Sequence, residues 1–202
     1  GAAGAYTLAP GAITSSAKVA AITGSTSTTS GTATLTSMAD ATSLTSITIT
    51  ADKANFTTGA IGSGADANGL ATITISATGG ATAKLGDTNG DDTNTTSGET
   101  TATMTLTADT SSTVQLMTYS ATEGAIALTA SGAGNFTLGG DSDPISFGEA
   151  STFDLSGATG TNSLNQVGAT AASTVTLASE GGSDTIQLDD DAVITIANFQ
   201  IG

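Results

Sequence analysis

Short runs in which every second residue is apolar recur along most of the chain. Ile47-Thr48-Ile49-Thr50, Ile73-Thr74-Ile75-Ser76, Met104-Thr105-Leu106-Thr107, Ile126-Ala127-Leu128-Thr129, Phe153-Asp154-Leu155-Ser156, Val175-Thr176-Leu177 and Ile194-Thr195-Ile196 share one template. A period of two is that of a strand with one face buried, because successive side chains point to opposite sides of a pleated backbone. Each run is followed by turn-forming residues: Asp52-Lys53, Thr78-Gly79-Gly80, Asp109-Thr110-Ser111, Ser131-Gly132-Ala133-Gly134, Ala158-Thr159-Gly160 and Glu180-Gly181-Gly182. Gly reaches positive φ, and Asp and Ser bond nearby backbone, so each cluster predicts a sharp change of direction. Second short runs follow at Asn55-Phe56-Thr57, 81–85, 113–116, 135–138 and 185–188.

The unit is therefore strand, turn, strand, and it begins at residues 47, 73, 104, 126, 153, 175 and 194, at intervals of 19 to 31 residues. That interval suits one winding of a solenoid. An Asn-Phe-x-x-Gly echo at 55–59, 135–139 and 198–202 supports true repetition, and places Phe56, Phe136 and Phe199 at equivalent core or ladder-end positions. The expected fold is all-β, a parallel β-solenoid of about seven strand-turn-strand units. An antiparallel β-sandwich is the alternative: irregular spacing favours it, whereas small inward residues and few aromatics favour a narrow solenoid interior. No helix is expected; 17–22 is apolar but too short to nucleate one. Residues 1–31 carry the weakest pattern and are expected as an extended N-terminal arm or linker, ahead of a β-repeat domain over 32–202.

Composition narrows the chemistry. The 202 residues include 18 acidic and three basic side chains (Lys18, Lys53, Lys84), no His, no Cys and no Trp, for a net charge of −15. Such a charge repels phosphate backbones and anionic lipid, so nucleic acid is excluded as a partner. No stretch approaches 18 consecutive apolar residues, and no membrane span is expected. A serine nucleophile would lack its usual base, and a glycosidase carboxylate pair would lack the aromatics that hold sugars, so no enzymatic activity is expected. The chain opens on Gly1 with no apolar signal core, and is expected to be a processed form or a piece of a longer protein.

The strings at 44–50, Ser151-Thr152-Phe153-Asp154-Leu155-Ser156-Gly157-Ala158-Thr159-Gly160, and Gly181-Gly182-Ser183-Asp184-Thr185-Ile186 resemble the Thr- and Ala-rich crystalline surface-layer (S-layer) proteins of Gram-negative bacteria. The resemblance covers roughly residues 32–202. It implies secretion by a type I route without a cleaved N-terminal signal, an extracellular cell-surface location, and calcium-driven two-dimensional assembly. The calcium repeat of such proteins is Gly-Gly-x-Gly-x-Asp-x-apolar-x, of which Gly182-Ser183-Asp184-Thr185-Ile186 is one half.

Calcium is the cofactor the composition suits, since it takes six to eight oxygens and needs neither His nor Cys. The candidate ligands are Asp87, Asn89, Asp91 and Asp92 in one cluster, Asp141 and Asp143 in a second, and Asp184 with Asp189 in a third. The first cluster has alternate ligand spacing but departs from an EF-hand, with Gly90 at position 4 and Glu99 at position 13. The expected function is that of a structural, self-assembling extracellular protein, an S-layer lattice or filament subunit whose partner is itself. An adhesin stalk or carbohydrate-binding module contacting cell-surface glycan is the alternative, and a viral capsid or tail decoration a third reading.

Overall fold

The computed structural model describes residues 4–8, 21–26, 31–35, 45–59, 71–86, 96–97, 102–117, 119–121, 124–139, 145–147, 149–169, 172–178, 181–188 and 193–198. Every element among them is a strand, and every pairing between strands is parallel. The fold is a parallel β-solenoid. Antiparallel pairing, which the sandwich alternative requires, is absent among the described residues.

One wall is an eight-stranded sheet. In stacking order it contains β2 (Ala21–Thr26), β4 (Ser46–Asp52), β6 (Thr72–Thr78), β9 (Ala102–Ala108), β12 (Ile126–Gly132), β15 (Thr152–Ala158), β17 (Ser173–Thr176) and β19 (Ile194–Ala197). The seven expected unit starts are the strands from β4 onward, and β2 adds a rung before them. The facing wall stacks β1 (Gly4–Leu8), β3 (Gly31–Leu35), β5 (Asn55–Thr58), β7 (Thr82–Leu85), β10 (Thr113–Leu116), β13 (Asn135–Leu138), β16 (Thr161–Ala169) and β18 (Ser183–Leu188). A short third side, β8 (Thr96–Ser97), β11 (Tyr119–Ala121) and β14 (Ile145–Phe147), joins the second wall through the far half of β16. Within 1–31, β1 and β2 pair with β3 and β4 of the same chain.

Alternation is converted into columns by stacking in register. Ile47, Ile73, Met104, Leu128, Phe153 and Val175 occupy one inward position of the first wall on successive rungs. Leu85, Leu116, Leu138, Leu164 and Ile186 do so across the core. All but Ile186 are buried, and burying each such side chain contributes about 1.5–3 kcal/mol. Phe56 and Phe136 lie in one column with Ala83 and Val114 between them, so small residues leave room for the rings. Phe199 lies outside the described residues.

The irregular unit spacing, which in the sequence favours a sandwich, has a simple location. Only two residues separate β4 from β5, β12 from β13 and β15 from β16, whereas thirteen separate β5 from β6. The corner between the walls is short and regular, and the length variation falls on the return path. A solenoid tolerates that, because lengthening a connection costs little once its two ends are held by neighbouring rungs.

Candidate assembly edges and cation-binding residues

The regular corner is built from glycine and from side chains that reach one rung along. Gly79 and Gly80 have φ of 66° and 81° and present consecutive N–H groups. Gly79 N donates to Asp109 Oδ2 at 2.7 Å and Gly80 N to Ser112 Oγ at 3.1 Å, while Ser112 Oγ donates to Asp109 Oδ1. The Ser112 hydroxyl, and after it the Gly79 N–H, hold the Asp109 carboxyl below the usual carboxylate range. Asn55 Oδ1 accepts from Thr82 N and Asn135 Oδ1 from Thr161 N, so the two asparagines of the Asn-Phe echo do the same work on different rungs.

Toward the C-terminal end the interior turns polar. The column that contains Phe136 continues as Asn162 and then Asp184. Asn162 is buried; its Nδ2 donates to Ala158 O at 3.1 Å and to Asp184 Oδ1 at 2.7 Å, and its Oδ1 has no hydrogen-bond partner. Asp184 is half-buried and is the only expected calcium ligand among the described residues. Asp87, Asn89, Asp91, Asp92, Asp141, Asp143 and Asp189 lie outside them. Among the described residues no three Asp or Glu carboxylates converge to hold a metal.

Among the described residues, the apolar pattern meets water at β18 and β19. Leu188, Val193 and Ile196 are exposed by 42%, 57% and 37%, and Ile186 and Ile194 are half-buried. Ile196 lies in register with buried Val175, one rung past it. Among the described residues β18 and β19 each pair on one side only, which presents a row of backbone donors and acceptors along the other. Sequence periodicity does not distinguish Ile196 from Ile75; only its place in the stack, beside the outermost described strand pairing, does.

Charge is unevenly distributed between the two ends. Residues 1–39 hold Lys18 and no acidic residue, whereas 180–202 hold Glu180, Asp184, Asp189, Asp190 and Asp191 and no basic one. Among the described residues, no helix is long and apolar enough to cross a membrane. No protein-family model, curated protein or solved structure matches the chain.

Proposed function

We propose that this chain is a structural, self-assembling extracellular protein, a subunit of a surface-layer lattice or filament whose growth depends on cations. The observation that carries the reading is the apolar surface that Leu188, Val193 and Ile196 expose, among the described residues, beside the parallel strands β18 and β19. A parallel rung that offers such surface is a template for another rung.

The partner that fits is a second copy. Among the described strands β1 and β2 lie on the far side of the same two walls, have the same chain direction, and belong to a stretch without acidic residues. An acidic C-terminal end meeting a neutral to basic N-terminal end is electrostatically favourable, and a head-to-tail contact of this kind does not close on itself. Each added copy nevertheless brings a net charge of −15, so screening salt or a divalent cation lowers the cost of growth. Calcium is the cation whose oxygen preference matches the acidic clusters.

The experiment is negative-stain imaging and sedimentation of residues 1–202 with calcium, with magnesium, and after chelation. Ordered fibres or sheets that dissolve on chelation are expected. Replacing Val193 and Ile196 together by lysine should leave a folded monomer under all three conditions. A wild-type chain that stays monomeric at high concentration with calcium overturns the reading.

A further inference from the structure

The two walls differ on their outer surfaces. On β4, β6, β9 and β12 three ranks of four outward positions run side by side, and the paired outward residues Asp52 and Thr78 border them at the corner. The central rank is Thr48, Thr74, Thr105 and Thr129; beside it run Ser46, Thr72, Thr103 and Ala127, and on the other side Thr50, Ser76, Thr107 and Ser131. All twelve are exposed or half-exposed, eight are threonine, and none is charged or aromatic, in a chain with 18 carboxylates. Pairing across these four strands proceeds without a shift of register; the first shift follows Thr129, between β12 and β15, where Asp154 also interrupts the central rank. The opposite wall shows no such uniformity, since Lys84, Gln115 and the two asparagines Asn55 and Asn135 break its outward ranks.

A register-true parallel sheet fixes the array's dimensions. Neighbouring threonines stand about 4.8 Å apart from rung to rung and about 6.6 Å apart along a strand. Threonine is stiff at χ1, so each hydroxyl and methyl holds its orientation without an ordering cost at binding. Hydroxyls one rung apart stand close enough to bond, as Ser76 Oγ does to Thr50 Oγ1 at 3.3 Å. Water bridging such hydroxyls sits at sites repeated in two dimensions, with methyls filling the gaps between them. The two repeats lie close to the oxygen repeats on the prism face of hexagonal ice. A charged or bulky side chain would spoil that match, and the twelve positions hold neither, the Asp52 carboxylate lying one step outside them.

We propose that the outer Thr face of β4, β6, β9 and β12 binds ice, through a layer of ordered water held on the Thr48, Thr74, Thr105 and Thr129 rank and its neighbours. The occupant is a crystalline water surface, not a soluble glycan, because the array is uncharged, has no aromatic platform and repeats in both directions. It is separate from the edges used for assembly, and does not depend on them.

Single ice crystals grown in the presence of the wild-type chain should show faceting and a growth gap below the melting point. Amine-labelled protein should coat a growing ice hemisphere. Thr105→Tyr places a ring at the centre of the array on an exposed position, and should abolish both effects while circular dichroism and the unfolding midpoint stay those of the wild type. Thr137→Tyr, on the outer face of the other wall, should leave both effects intact. Round, unarrested crystals with the wild-type chain overturn the proposal. So does full activity in Thr105→Tyr, or equal loss in the two variants. If Thr105→Tyr changes only self-association in sedimentation, the face binds a second copy and the ice proposal fails.

Discussion

Replacing Gly160 by alanine adds one methyl group at the corner between β15 and β16, where rungs stack backbone on backbone. A Cβ there would lie within 3.0 Å of three backbone atoms, Gly134 O and C and Ala133 O. None is the end of a side chain that could turn away, so relief requires moving one rung relative to the next. Gly182, one rung further, faces the same obstacle from Gly160 O. Overpacking of a tight interior costs about 1–3 kcal/mol, occasionally more, and a clash among rigid backbone atoms belongs at the upper end, about 3 kcal/mol. Gly80→Ala is the internal control. Gly80 has a φ of 81° but nothing within 4 Å of its would-be Cβ. Its alanine variant meets left-handed strain of about 1–2 kcal/mol, partly offset by about 0.4–1 kcal/mol from the stiffer unfolded chain. In urea, a slope of about 2–3 kcal/mol per M turns 3 kcal/mol into a midpoint shift of about 1–1.5 M for Gly160→Ala, against a few tenths of a molar for Gly80→Ala. Far-UV circular dichroism reads both. Equal shifts for the two variants, or a larger one for Gly80→Ala, would refute the claim that close stacking, more than backbone conformation, demands glycine at the corner.

Four further outcomes follow from the same geometry. Ile75→Ala, between Ile49 and Leu106 in a fully buried column, should lower stability by about 2–5 kcal/mol in denaturant titration. Tyr119 is buried on the third side, its Oη has no hydrogen-bond partner, and burial pushes its phenol up; Tyr119→Phe should therefore keep the unfolding midpoint or raise it by about 1 kcal/mol equivalent, and a clear loss would show that the hydroxyl is bonded. The depressed Asp109 carboxyl contributes stability above the unfolded carboxylate pKa of about 3.9, and that contribution is lost as pH falls through the lower folded value. The melting temperatures of the wild type and Asp109→Asn should thus differ by a constant amount above about pH 5 and converge in more acid solution. Asn162→Ala should loosen the last rungs first, since it removes the amide that bonds Asp184 and Ala158 O, and native-state hydrogen exchange should show faster exchange in β18 than in β9.

Much of the solenoid could be read from residue order alone. The seven alternating runs and five second runs each fall on a strand, with Leu177 and Ala81 just outside theirs, because a period of two is a local property that any packing partner must respect. The expectation broke where a polar residue points inward. β16 was not anticipated, since Asn162 stands in a column otherwise filled by Phe136 and Val114, and a run beginning Thr161-Asn162-Ser163 has no alternation to detect. β8, β11 and β14 are two or three residues long and too short to carry a period. β2 is Ala21–Thr26, where Gly24 takes the place opposite Ile49 and interrupts the apolar rank.

What the order of residues determined by itself was therefore the strand content, the corner positions and the poverty of reactive groups, all of which depend on neighbours a few residues away. Whether those strands run parallel or antiparallel was open until contacts 20 to 30 residues apart were formed, because both arrangements bury the same alternating face. Tertiary stacking alone decided which identical-looking isoleucines are interior and which meet water, and it alone lined up separate threonines into a two-dimensional array. A ladder is a relation between rungs, and no single rung contains it.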